Sequence, residues 1–134
     1  GGGSSGDSGE SAETPSGNCI ERLISYALKN SKINSICQDS QQGYCTDKLV
    51  DCSVNVFNLD KETSGNFNLL ITFFEKNNPE NVFGSFEKTE FLTPKTNKTI
   101  SHSVNLISRT SEGNANKEIG CDFTIISTPT KIVC

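Results

Sequence analysis

The sequence predicts a mainly β chain: an antiparallel β-sandwich with one N-terminal α-helix and a disulfide-stapled loop. Three observations point there. From residue 48 onward, apolar residues recur with period 2 in five segments and a short sixth, separated by turn residues. Residues 20–28 recur instead at 3–4 spacing, the helical period. Six cysteines, no two closer than seven positions, suit disulfides better than a metal site. At 134 residues and a formal net charge of −4, one globular domain is the natural size, and the acidic balance argues against a nucleic-acid binder.

Composition divides the chain into three parts. Residues 1–18 contain 11 Gly or Ser, three acids (Asp7, Glu10 and Glu13) and no base. Such a stretch buries too little apolar surface to offset chain entropy, so a flexible tether is expected. Residues 19–47 should form the helix and a cysteine-bracketed loop packed on the sandwich, and residues 48–134 the sandwich itself.

The helix is predicted from Asn18, a capping residue, with Glu21 three positions later as a capping box prefers. Ile20, Leu23, Ile24, Ala27 and Leu28 form its apolar face. Asn30-Ser31-Lys32 ends it, and residues 33–47, polar and containing Gly43, read as an irregular loop between Cys37 and Cys45.

The strands follow. In 48–59, Val50, Cys52, Val54 and Val56 share one face; 60–65 is a turn. In 66–75, Phe67, Leu69, Ile71 and Phe73 alternate, and 77–81 is a turn because Pro79 cannot serve inside a ladder. Segment 82–91 is a third strand, with Gly84 hinting at a bulge. Ile100, His102, Val104 and Leu106 align in 98–108, and Ile119, Cys121, Phe123 and Ile125 in 118–127, across a Gly/Asn loop at 110–117. Lys131 to Cys134 supply the short last strand. Strands linked by turns, without interleaved helices, indicate a sandwich rather than a βαβ fold.

Six cysteines allow 15 pairings, and spacing only weights them. Cys37–Cys45 would close the polar loop. Cys52 and Cys121 fall on the inward faces of their strands, so a bridge between them would tie an early strand to a late one. Cys19–Cys134 then follows by elimination. Disulfides place the chain in an oxidising, extracytoplasmic compartment, secreted or anchored at a cell surface.

Chemistry-bearing patterns are sparse. His102, the single histidine, is flanked by Ser101 and Ser103 but lies on an apolar strand face, where a packed histidine is the plainer reading than a triad base. No phosphate-binding Gly loop occurs. Glu87 and Glu90 fall on opposite faces of one strand, and Asp47, Asp51 and Asp60 are too dispersed for a calcium loop. No enzyme activity, cofactor or metal is expected. Tyr26 and Tyr44 are too isolated to make an aromatic ligand face. Leu70, Phe74 and Phe83 remain on a predicted outer face; they either cover the helix or form an exposed interface patch. Asn97-Lys98-Thr99 is the single Asn-x-Ser/Thr sequon, a candidate N-glycosylation site expected to be exposed in the turn before the fourth strand.

Three resemblances follow from these residues. The Gly/Ser-rich acidic start resembles the mature end of prokaryotic lipoproteins, which implies a membrane link only through a tether upstream of Gly1; the alternative is a boundary inside a longer extracellular chain. The strand end Ile71-Thr72-Phe73-Phe74-Glu75, the step Phe91-Leu92-Thr93-Pro94 and the following Ile100, Val104 and Leu106 resemble the FxLYD-type, immunoglobulin-like sandwich modules of prokaryotic exported and surface proteins. The ending Cys121-Asp122-Phe123 through Pro129-Thr130-Lys131 to Cys134 is similar to small archaeal exported proteins. The resemblance covers residues 49–134, and Leu69 or Ile71 stands where the motif begins with Phe. It implies an immunoglobulin-like fold, no catalytic residues, and a structural or interaction role. The partners would be other surface or extracellular proteins or further copies of the chain, as in a filament or layer. The competing expectation is a secreted ligand-binding domain for a carbohydrate, small molecule or protein.

Overall fold

The computed structural model describes residues 18–134, so the expected tether lies outside the described residues except for Asn18. Eight strands form: β1 (Ile20–Leu23), β2 (Tyr26–Gln41), β3 (Tyr44–Asn58), β4 (Gly65–Glu75), β5 (Asn78–Leu92), β6 (Asn97–Ile107), β7 (Ile119–Ser127) and β8 (Thr130–Val133). They make a three-stranded sheet ordered β2-β3-β6, a second ordered β5-β4-β7, and a separate β1-β8 ribbon, all antiparallel. The mainly β class is as the sequence predicts.

The core lies between the two central strands, where alternation is cleanest. Val50, Cys52, Val54 and Val56 of β3 and Phe67, Leu69, Ile71 and Phe73 of β4 are each at most 2% exposed. Burying one such aliphatic or aromatic side chain is worth about 1.5–3 kcal/mol, so these two rows set the register of both sheets. Leu92, Ile100, Leu106, Ala115 and Ile119 close the layer at its ends.

No helix forms where one was expected. Residues 20–23 pair with β8, and residues 26–41 run as an edge strand along β3. Of the supposed helical face only Ile24 is buried, while Ile20 is 48% and Leu23 70% exposed. A three-turn helix is marginal by itself. The strand instead satisfies its backbone groups on the edge of β3 and lays Leu28 against the core. Nor is 33–47 an irregular loop. β2 and β3 form one long hairpin turning at Gln42-Gly43, whose φ values of 49° and 86° are both left-handed, as a two-residue primed turn requires.

Two other boundaries move. The chain reverses at Lys76-Asn77, and Pro79 lies within β5; β5 has a neighbour on one side only, so the missing N–H is tolerated. Near Gly84 the register slips, from Phe73 opposite Gly84 to Phe74 opposite Val82. That bulge brings Phe83 against the core instead of onto the outer face.

Direction sorts the loops into two poles. Ribbon, β3–β4 loop (59–64) and β5–β6 turn (93–96) gather at the proximal pole. The β2–β3 turn, the β4–β5 turn and the β6–β7 loop (108–118) gather at the distal pole.

Candidate interaction surfaces

The three disulfides sit at the proximal pole, in the core and at the distal pole. Cys19 joins Cys134 at the tip of the ribbon. Cys52 of β3 joins Cys121 of β7 through the core, linking the two sheets across a Cα separation of 6.5 Å. Cys37 joins Cys45 near the hairpin turn, across 5.9 Å.

The proximal pole is built around one acid. Asn58, at the end of β3, donates from its side-chain amide to the carbonyls of Thr63 (2.8 Å) and Leu92 (3.2 Å), while its Oδ1 accepts the Asp60 N–H at 2.9 Å. The loop therefore curls back and presents the Asp60 carboxylate to the N–H groups of Glu62 (3.1 Å) and Thr63 (2.9 Å). Lys131 of β8 completes the cradle, its ammonium 2.6 Å from Asp60 Oδ1. Lys131 first, then the loop N–H groups, hold the Asp60 carboxyl well below the usual carboxylate range, against the opposing effect of burial. The ribbon is thereby fastened to the β3–β4 loop by charge, while Cys19–Cys134 joins its two strands to each other. Beside it lies an apolar groove of about 250 Å³, lined by Leu23, Tyr26, Ile125, Ile126, Ser127 and Thr128.

The distal pole is tied by amides. Asn116 takes the Cys45 N–H on its Oδ1 at 2.8 Å, and its amide donates to the carbonyls of Cys45 (2.9 Å) and Thr110 (3.3 Å). The side chain thus behaves as one more backbone unit beside β3. Tyr44 donates its hydroxyl to the Arg109 carbonyl at 2.9 Å, and Lys48 its ammonium to the Lys117 carbonyl at 3.0 Å. Ala115 is buried, its N–H on Ser108 Oγ at 2.7 Å. The hairpin tip and the 108–118 loop consequently form one surface.

Between the poles, the β5–β6 flank is closed by inward-facing polar groups. His102 stacks on Phe86 with ring centroids 4.0 Å apart and meets Phe73 edge-on at 6.2 Å. Burial, then the charge of Lys88, push its pKa below the usual histidine value. Ser101 and Ser103 fall on the opposite face of β6, where Ser103 bonds Asp51, so the histidine ring and these hydroxyls are not brought together. Lys98 pairs with Glu90 at 3.4 Å next along the same flank.

The predicted patch is not assembled. Leu70 and Phe74 are half-buried on the outer face of β4, the Phe74 ring lying so close over Gly120 that a Cβ there would stand 2.8 Å from it. Phe83 turns inward, as above, and no helix covers any of them. Asn97 is exposed, but it is the first residue of β6, opposite Phe57, rather than part of the turn. The turn proper spans the residues between Leu92 and Asn97, with Thr96 hydroxyl on the Thr93 carbonyl at 2.7 Å.

Sequence reading missed Asp60 with Lys131, and Asn116. Asn58-Leu59-Asp60 was a legible turn-forming pattern; nothing local marked Lys131 or Asn116, whose partners lie 71 positions away. Among the described residues no group of three or more His, Cys, Asp or Glu side chains is placed to hold a metal ion. No family model, curated protein or solved structure matches the chain.

Proposed function

We propose that the chain is a non-catalytic, extracytoplasmic structural or interaction module with an immunoglobulin-like sandwich. The carrying observation is the distribution of the three disulfides, one at each pole and one between the sheets. Crosslinks persist in oxidising surroundings and serve a chain whose core is two short rows of side chains. The immunoglobulin-like part is supported by strand order. β2-β3-β6 faces β5-β4-β7, and the sheet-to-sheet bridge joins the second strand of the sandwich to its sixth, the B-to-F placement of that fold. The FxLYD-type resemblance agrees with this reading.

In this reading the Gly/Ser-rich segment before Cys19 is a lipoprotein-like tether reaching a membrane upstream of Gly1, and the module leaves from the proximal pole. The distal pole and the sheet faces then meet partners: other surface proteins, or further copies in a filament or layer. The net charge of −4 disfavours nucleic acid as a partner.

Surface proteolysis of intact source cells, with peptide mapping under non-reducing conditions, tests the assignment. Release of disulfide-bonded peptides by external protease supports it. Protein confined to the cytoplasm, with its thiols reduced, overturns it. Size-exclusion chromatography with electron microscopy then separates a monomeric module from an assembling one.

A further inference from the structure

We infer that a polar groove on the outer face of the β2-β3-β6 sheet binds an acidic sugar, a hydroxyl-rich ring carrying one carboxylate. The groove originates in a bulge. Lys29 faces Asn55 and Lys32 faces Ser53, so β2 spends one residue more than β3 between these pairs. The extra residue is accommodated by Asn30 in the left-handed region, at φ 58°. Bulges re-aim side chains and open sheet faces. This one leaves a hollow of about 280 Å³ lined by Asn30, Lys32, Ser53, Asn55 and Thr99.

The lining selects the ligand class. Amides and hydroxyls both donate and accept, which suits the hydroxyls of a sugar. Asn55 and Thr99 already bond each other across the floor, fixing one such pair in place. Lys32 adds a positive charge to the lining, and Lys29, opposite Asn55 on the same face, stands beside it. The four ion pairs among the described residues involve Lys76, Lys98, Lys117 and Lys131, leaving Lys32 outside them in a chain of net charge −4. The next acid on this face, Asp51, is engaged by Ser103. A lysine ammonium pairs with a sugar carboxylate while the amides and hydroxyls around it match the ring hydroxyls; a lysine also binds phosphate, which makes inorganic phosphate the discriminating control. The hollow is at the small end for a ligand site, so one ring occupies it and neighbouring rings of an oligomer run along the sheet. Phe57 follows Asn55 on the same face of β3, with Lys29 Nζ 5.4 Å from its ring centroid.

The site does not depend on where the protein resides, so its test stands apart from that of the proposed function. The oxidised full chain, labelled with nitrogen-15, is titrated to roughly 10 mM with trigalacturonate, with maltotriose as the neutral counterpart and with inorganic phosphate. Amide shifts should appear at Asn30, Lys32, Ser53, Asn55 and Thr99 with trigalacturonate. Maltotriose and the exposed-site variant Lys32→Gln should bind more weakly, by about fivefold or more. Asn30→Gly, which keeps the left-handed backbone and removes the amide, should also bind more weakly. No shift with trigalacturonate, equal response to maltotriose or phosphate, or unchanged affinity in Lys32→Gln overturns the inference.

Discussion

The two poles solve the same problem by different means. Each must hold chain segments far apart in sequence where the core no longer reaches. The proximal pole uses a disulfide that closes most of the chain, with 115 positions between its cysteines, and one ion pair seated in a curled loop. The distal pole uses a disulfide spanning 8 positions and an amide that copies backbone hydrogen bonding. Long closure acts mainly by constraining the unfolded chain; the short closure and the amide act mainly by fixing local shape. Stability should therefore follow the proximal crosslink and loop geometry the distal one.

The largest expected effect is at the proximal clasp. Cys19→Ala with Cys134→Ala should lower unfolding free energy in urea by about 4 kcal/mol, given that Cys52–Cys121 already closes the inner part of that loop. A loss near zero, with only ribbon amides gaining exchange, would show that the ribbon opens independently of the sandwich and would break the comparison. Cys37→Ala with Cys45→Ala should cost roughly 2.5 kcal/mol by the same reasoning, with faster amide exchange confined to the hairpin tip and 108–118. A distal loss equal to the proximal one would refute the division of labour.

A smaller effect sharpens the distal half. Asn116→Ala removes three hydrogen bonds to backbone groups that water can partly replace, so a loss of about 1–2 kcal/mol is expected in the same urea assay. The rest of the sandwich should keep its chemical shifts.

The smallest effects are in pH. Asp60 titrates lower folded than unfolded, so its contribution is present above the unfolded value of about 3.9 and is lost as pH falls towards its folded value. Protection of ribbon amides should fade through that window, and Lys131→Met should weaken the dependence. His102 is also lowered, but as a base: the unfolded chain binds its proton more readily, so stability falls as pH drops below about 6.5. His102→Gln should remove that slope from urea midpoints measured between pH 7 and 5, while leaving the ribbon's response to Asp60 intact.

Legibility tracked regularity. β3, β4, β6 and β7 were readable because their inward rows alternate without interruption, as Val50 to Val56 and Phe67 to Phe73 do. β2 was not. Its inward row is Tyr26 and Leu28, then Ile33, Ser35 and Cys37, with the parity changed by the bulge at Asn30-Ser31. Once the period breaks, Ile20, Leu23, Ile24 and Leu28 mimic a helical stripe. Phe83 was misplaced for the same reason, at the bulge beside Gly84. The candidate surfaces were less visible still. Cysteines announce themselves by type, whereas Asp60 and Lys131, or Cys45 and Asn116, meet only after the ribbon and the 108–118 loop have folded against the sandwich.

The clasp at the ribbon tip has a mechanical consequence. Cys19 and Cys134 are neighbours, so a pull applied at one against the other is carried by a covalent bond and never loads the sheets. Under tension the oxidised domain is an inextensible node. Reduction changes the geometry of failure. β1 and β8 are antiparallel with the pulled ends together, so their ladder opens as a zipper, one pair at a time, from Ile20–Val133 towards Leu23–Thr130. Peeling of that kind needs less force than sliding strands past one another, because the hydrogen bonds break in sequence rather than together. The tear meets the Asp60–Lys131 pair at the third step, opposite Arg22, before it reaches the outer strands, and the chain could lengthen only as far as Cys52–Cys121 permits.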